Sequence, residues 1–230
     1  IEDVNWEVCA NAIKSLGQIG SVAHSAIPAL STSLRSENEI VRNNTILALA
    51  EIGLASVPFL IDALSDKDRL VRRSAVFSLS RIGQLPPTAI EALKEKLKDP
   101  EDSVKLSVAV VLAVIDPISQ NLTLPIIEKS CFSKDKFTSD FAVYSLKRIQ
   151  QQNRLIKKQV DILVQKLQHQ EASQRYNAVI TLAQIGPRIG LSTEHVVSVL
   201  SNKIDDEDQK VRIAIKKALE ILGSEFQSPD

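Results

Sequence analysis

The segment Val71-Arg72-Arg73-Ser74-Ala75-Val76-Phe77-Ser78-Leu79-Ser80-Arg81-Ile82-Gly83 is the clearest copy of a pattern that occurs seven times in this chain of 230 residues. The copies start 30 to 37 residues apart, at Val8, Val41, Val71, Val104, Thr138, Gln174 and Val211. Most copies have apolar residues at offsets 0, 4, 8 and 11, which form one stripe along an α-helix. A repeated amphipathic helix therefore decides the fold class.

The two ends of each helical unit have their own signals. The pattern closes with Gly in five copies, namely Gly20, Gly53, Gly83, Gly186 and Gly223. Glycine at this place predicts a helix C-terminus with a left-handed backbone. An acidic turn precedes each copy, as in Asp66-Lys67-Asp68, and acids there cap the start of a helix.

A first helix precedes the pattern in each unit. The residues 14, 11 and 7 positions before the pattern are apolar, as in Ile27, Leu30 and Leu34. A proline follows the first of these in three units, at Pro28, Pro58 and Pro125, and proline fits the first turn of a helix. These signals predict an all-α fold of about seven helical hairpins, the first one incomplete. We expect a single solenoid domain over residues 1–223 and a polar tail over 224–230.

The repeated unit resembles the short HEAT-type repeat of phycobilisome lyases and other α-solenoid proteins. The resemblance implies a right-handed α-α superhelix whose second helices line a concave surface. It also implies an alternative function, in which the protein handles a bilin chromophore on phycobiliproteins.

The chain opens at Ile1 in register with the middle of a repeat, and it contains no methionine. We therefore expect the sequence to be a fragment of a longer protein or a processed chain. The missing part of the first repeat would be a first helix.

Composition excludes several classes of partner. The chain has 28 basic and 28 acidic residues, whereas proteins that bind nucleic acid by counterion release carry a basic excess. The apolar run from Val108 to Ile115 is too short to span a membrane. The two cysteines, Cys9 and Cys131, stand in different repeats, which predicts reduced thiols and a cytoplasmic location.

The polar residues form no recognisable catalytic or metal-binding pattern. The histidines, His24, His169 and His195, fall in different repeats without partners at metal-ligand spacing. No phosphate loop or nucleophile motif occurs, and the paired His-Glu dipeptides of iron-binding HEAT-type enzymes are missing. We expect a protein without metal, cofactor or enzymatic activity.

A basic residue occupies the second position of five copies, Arg42, Arg72, Lys105, Arg175 and Arg212. Such a ladder would suit an anionic ligand. The favoured interpretation is structural, because stacked repeats let each guanidinium bind carboxylates and carbonyls of its own and the adjacent turn.

The functional hint comes from offset 6 of the pattern, a position that is polar in a typical unit. The five inner copies have apolar residues there, Leu47, Phe77, Val110, Tyr144 and Ile180. Offset 2 adds Leu106 and Tyr176 to this predicted concave stripe, and the predicted polar rim consists of Arg73, Arg81, Lys147 and Arg148. Exposed apolar stripes mark partner sites, although tight curvature would instead pack offset 6 into the core. The sequence favours a non-catalytic scaffold that binds a helix or extended segment of another protein.

Overall fold

The structure, a computed structural model, describes residues 5–189 and 193–224, and in these ranges no residue lies in a β-strand. The helices are α1 (Trp6–Ile19), α2 (Ile27–Ser33), α3 (Glu39–Ile52), α4 (Val57–Ala63), α5 (Arg69–Ile82), α6 (Pro87–Glu95), α7 (Asp102–Ile115), α8 (Gln120–Ser130), α9 (Lys136–Lys166), α10 (Ala172–Ile189), α11 (Thr193–Ser201) and α12 (Gln209–Ser224). The predicted all-α repeat fold is confirmed. Residues 225–230 of the predicted tail lie outside the described residues.

The second helix of every repeat begins two residues before the start of the sequence pattern. The seven second helices are α1, α3, α5, α7, α9, α10 and α12. Five of them, α1, α3, α5, α9 and α12, are capped by the Asn or Asp directly before the helix, whose side-chain oxygen accepts from backbone N–H groups without a helical partner. Asn38 Oδ1 accepts from the N–H groups of Ile40 and Val41, and Asp68 Oδ1 accepts from that of Leu70.

Glycine ends the second helix in the first three repeats. Gly20, Gly53 and Gly83 have φ values of 68°, 83° and 92°. Their ψ values lie between −111° and −140°, a region open almost only to glycine. Here the prediction of a glycine stop is confirmed.

The same prediction is wrong for Gly186 and Gly223, which lie inside α10 and α12. Gly186 serves a different purpose, because a Cβ atom there would lie 2.5 Å from Cδ2 of the buried Leu222. The glycine lets α10 and α12 approach closely.

Two predictions about helix boundaries are wrong. Pro125 lies inside α8, and not in its first turn as predicted, because α8 already begins at Gln120. The predicted second helix of repeat five and first helix of repeat six form one helix of 31 residues, α9. Gln150 stands where three other repeats have the terminating glycine, so nothing in the backbone stops the helix.

Packing groups the chain into two compact units. The first runs to Ile115 and includes Thr123–Ala142, and the second comprises Asp116–Leu122 and the chain from Val143 onward. The single domain expected over residues 1–223 stays a prediction.

In the first unit the helices form two layers. The second helices α1, α3, α5 and α7 contact one another in sequence order, and the first helices α2, α4 and α6 do the same. Each first helix also packs on the second helix that follows it. The core between the layers consists of aliphatic side chains that are fully buried, such as Leu30, Leu49, Leu79 and Leu112.

In the second unit α10, α11 and α12 pack against one another. Their core contains Val160 of α9 and Leu167 directly after it, together with Leu182, Leu200 and Ile215. These are the pattern positions that the sequence assigned to the buried stripe.

The stretch Glu39–Ala63 contains a window that is long and apolar enough to cross a membrane by length and composition alone. In the structure this stretch is divided at Gly53 into α3 and α4, and α3 contacts α1 and α5. Its apolar side chains include core residues such as Leu49 and Leu60.

Candidate functional site

The arginines at the second pattern position hold the repeat turns in place. Nη1 of Arg42, Arg72, Arg175 and Arg212 donates to two carbonyls of the turn that precedes its helix, at 2.6–3.2 Å. Arg72 and Arg175 also donate to a carboxylate of the next repeat, Asp99 and Asp206 respectively. Lys105 instead pairs with Asp102 of its own helix at 2.7 Å. The favoured structural interpretation of the ladder is confirmed for these arginines.

The two inter-repeat carboxylates are held in their charged form. Burial by itself would raise the pKa of Asp99, but the hydrogen bond from Arg72 and the N–H of Glu101 outweigh it and lower that pKa. The pKa of Asp206 is lowered in the same way against its burial, by Arg175 and the N–H of Asp208. Their charges are therefore already neutralised within the protein.

The predicted concave stripe is only partly exposed in the first unit. Leu47 on α3 is 41% exposed, whereas Phe77 on α5 and Val110 on α7 are partly buried. Arg81 is exposed in the last turn of α5. At offset 6, Leu47 is thus a surface residue, whereas Phe77 and Val110 are partly packed into the protein.

Leu106 is 2% exposed, so the exposure expected of it is wrong. The side chain lines a cavity that residues of α5 and of the start of α9 also line. Neighbouring helices therefore cover this offset in α7, which is apolar nearly all round.

In the second unit the predicted anchors are more open. Tyr144 is 59% exposed and Tyr176 is 40% exposed, while Ile180 is partly buried. Lys147 and Arg148 are exposed, and Cζ of Arg148 lies 5.7 Å from the centroid of the Tyr144 ring. The predicted rim and stripe thus meet in a cation–π contact on one helix face.

A cavity of about 280 Å³ opens at the N-terminal turns of three second helices of the first unit. We call it the arginine cavity. Its walls are Arg69, Leu70 and Arg73 of α5, Ser103 and Leu106 of α7, and Asp135, Phe137, Thr138 and Phe141 at the start of α9. Apolar walls with a few polar groups are typical of binding sites.

Two polar atoms of the arginine cavity are buried without a hydrogen-bond partner among the described residues, Arg73 Nε and Ser103 Oγ. None of the ion pairs in the described part of the chain includes Arg73. Burial, with a smaller contribution from the charge of Arg69, lowers the pKa of Arg73. Its Cζ lies 5.9 Å from the centroid of the Phe77 ring, one helical turn away. Unpaired buried donors of this kind are costly and need an explanation.

The other charged groups of the arginine cavity already have partners. Arg69 Nη1 lies 3.7 Å from Glu101 Oε2, and both side chains are largely exposed. Asp135 Oδ2 accepts from the backbone N–H and the hydroxyl of Thr138, and the hydroxyl bond is the main cause of its lowered pKa. Arg73 is the cation that these contacts leave for a ligand.

The aromatic residues around the turn before α9 were not predicted as part of a site. Phe132 is 88% exposed and Phe137 is 70% exposed. Phe132 also lines a neighbouring cavity of about 410 Å³ with Lys105 and Lys129. The signal was in the repeat alignment, because the residue six positions before the pattern is polar in the other complete units. Those residues are Arg35, Ser65, Lys98, Gln168 and Asp205.

No group of three or more His, Cys, Asp or Glu side chains arranged for a metal ion occurs among the described residues. Cys9 is buried and Cys131 is partly buried, and neither forms a disulfide. The exposed histidines His24, His169 and His195 lie on different elements.

Comparisons with known proteins identify the repeats. A family model described as HEAT repeats matches residues 1–57 and 27–113. It does not confirm the phycobilisome-lyase subtype of the resemblance. No curated protein matches the chain.

Three solved structures illustrate the similarity. An engineered protein is 20% identical, with 97% of this chain and 93% of that chain covered and a TM-score of 0.34. The designed armadillo repeat protein YIII(Dq)4CqI is 16% identical, with 96% of each chain covered and a TM-score of 0.31. Human deoxyhypusine hydroxylase in complex with glycerol is 15% identical, with coverages of 95% and 98% and a TM-score of 0.37.

Proposed function

Because this chain is built of HEAT repeats, we propose that it is a non-catalytic scaffold that binds another protein on the outer faces of its second helices. Repeat solenoids of this kind expose helix faces along a row of repeats and use these extended surfaces for binding. The observation that carries the proposal is the exposure of large apolar side chains on these faces, above all Tyr144 at 59%. Large exposed side chains of this kind are frequent in interfaces.

The exposed residues have the composition of binding anchors. Tyrosine and arginine are the residue types that contribute most to interfaces, and Tyr144 with Arg148 forms such a pair. On α10, one turn separates the exposed Tyr176 from the partly buried Ile180. A helix or an extended segment of a partner would bury these side chains one after another.

The first unit offers a second set of contacts. Leu47 is exposed on α3, and the partly buried Phe77 and Val110 present the rest of their surface on α5 and α7. Because offset 6 is polar in a typical unit, an apolar residue there in three successive helices favours contact with a partner over contact with water.

Capture of the natural partner by paired variants tests the proposal. The stripe variants are Leu47→Ser in the first unit and Tyr144→Ser in the second. Their matched controls are Phe59→Ser and Ile162→Ser, which remove exposed apolar side chains from first-helix segments, 39% and 54% exposed respectively. We expect the stripe variants to lose partner proteins that both controls retain, at unchanged thermal stability. Equal capture by stripe and control variants would contradict a binding role of the second helices.

We also propose an intracellular, reducing location. The support is that Cys9 and Cys131, which lie in different repeats of the first unit, form no disulfide. Microscopy of the full-length protein with a fluorescent tag checks it, and secretion into the medium would contradict it.

A further inference from the structure

The arginine cavity contains a cation that the fold does not need. The ladder arginines Arg72 and Arg175 are paired with carboxylates and carbonyls, and their role in the fold is complete. Arg73 follows Arg72 directly in α5, and its Nε is buried without a partner in the described residues. Since burying a guanidinium donor without a partner costs stability, its retention points to a ligand that completes it.

We propose that the arginine cavity binds the carboxylate of an Asp or Glu side chain in an extended segment of the partner protein. The inference rests on the proposed scaffold function and names the chemistry of its partner. The carboxylate would accept from Arg73 Nε and from the hydroxyl of Ser103, the two orphaned donors of the cavity. Arginine provides a planar fork of donors that matches the two oxygens of a carboxylate.

The size of the arginine cavity favours one side chain of a peptide. Its volume of about 280 Å³ lies just below the range of pockets that hold drug-sized ligands, which begins near 300 Å³. The remaining walls are Leu70, Leu106, Phe137 and Phe141. Phe137 is 70% exposed, so an apolar neighbour of the acidic residue would bury it on binding. The ligand is therefore an acidic residue flanked by apolar ones.

The charges around the cavity favour a carboxylate over a phosphate. Asp135 lines the cavity and keeps its negative charge, and Glu101 lies beside Arg69. The two acids repel any anion, but a phosphate with two negative charges is repelled about twice as strongly as a carboxylate with one. The N-terminal turns of α5 and α7 add a weak positive potential that suits a single carboxylate.

A nuclear magnetic resonance titration of the ¹⁵N-labelled full chain tests the proposal. The probe is the peptide N-acetyl-Phe-Glu-Phe-amide, its twin has Gln in place of Glu, and inorganic phosphate is a third ligand. We expect saturable shifts at the backbone amides of residues 69–73, 103–106 and 137–141 with the Glu peptide. Binding of the Gln twin should be weaker by about tenfold, because a hydrogen bond to a charged group is replaced by a neutral one.

Variants assign the effect to the cavity. Arg73→Gln and Ser103→Ala should each weaken binding of the Glu peptide, Arg73→Gln by about tenfold or more. Arg154→Gln is the matched control, since this arginine is exposed on α9, outside the cavity and outside the predicted polar rim. Retained amide dispersion shows that each variant is folded, and Arg73→Lys offers a second variant that keeps the charge without the fork.

The outcomes separate this inference from the proposed function. Equal binding of the Glu and Gln peptides, tighter binding of phosphate, or equal losses in the Arg73 and Arg154 variants would overturn it. If these occur while Leu47→Ser and Tyr144→Ser lose the natural partner, only the acidic specificity fails. If the cavity binds the Glu peptide but the stripe variants capture their partners normally, the scaffold surface fails and the cavity stands.

Discussion

Arg72 and Asp99 join consecutive repeats through a two-point contact, in which Nε and Nη2 of the arginine donate to both carboxylate oxygens at 2.8 and 2.9 Å. Both side chains are less than 10% exposed. The third guanidinium nitrogen donates to the carbonyls of Asp66 and Lys67 in the turn of its own repeat. One side chain thus fixes two turns at once, and Arg175 repeats the arrangement with Asp206 in the second unit.

Replacement of Arg72 by Gln should lower the free energy of unfolding by about 2–3 kcal/mol, because Asp99 would remain buried without its charged partner. Urea denaturation measures this. The control is Arg42→Gln, since Arg42 donates to the carbonyls of Ser36 and Glu37 only. A loss no larger than that of the control would show that the bond between repeats adds no stability.

Acid should weaken the first unit through Asp99. Its pKa in the folded chain is lowered below the unfolded value of about 3.9, so the folded state favours the ionised form. The resulting stability is fully present above that value and is lost as the pH falls through the folded pKa. Urea denaturation between pH 6 and pH 3 should show a loss that is steepest below about pH 4, and the loss should be shallower in Asp99→Asn. Identical slopes for the two proteins would contradict the assignment.

Gly17 permits the close approach of α1 and α3. A Cβ atom there would lie 2.9 Å from the Cα of Ala48 and 3.2 Å from its Cβ, so the helices must separate in Gly17→Ala. We expect a net loss of about 1–2 kcal/mol, although alanine is the better helix former. Gly223→Ala is the control, because Gly223 lies inside α12 with open space around it. This variant should gain a few tenths of a kcal/mol in the free energy of unfolding. Thermal melts of both variants provide the measurement, and stabilisation by both would rule out the steric role of Gly17.

Asp135 links the stability of α9 to the arginine cavity. Asp135→Asn keeps an oxygen that can accept from the N–H of Thr138 and removes a negative charge from the cavity wall. We expect unchanged thermal stability and tighter binding of the peptide N-acetyl-Phe-Glu-Phe-amide. Asp135→Ala should lose stability, since the cap disappears. Weaker peptide binding by Asp135→Asn would mean that the carboxylate helps the ligand and does not repel it.

The exposed stripe was only partly predictable. Helical periodicity assigned offset 6 correctly as a surface position for Leu47 and Tyr144, because their exposure depends on the helix that carries them. Periodicity also assigned offset 2 to the surface, which was wrong for Leu106. This side chain is 2% exposed and lines the arginine cavity together with residues of α5 and α9. The spacing of apolar residues within one helix does not reveal which of its residues contact other repeats.

The sequence by itself determined the repeat, the order of the helices and the start of each second helix to within two residues. Those features are local, since apolar spacing, caps such as Asp68 and stops such as Gly53 act within one or two turns. Only the tertiary structure decided that Leu106 is buried and that Arg73, unlike Arg72, has no carboxylate partner among the described residues. These depend on which side chains of neighbouring repeats meet, and that follows from the three-dimensional packing of helices whose sequences lie about 30 residues apart.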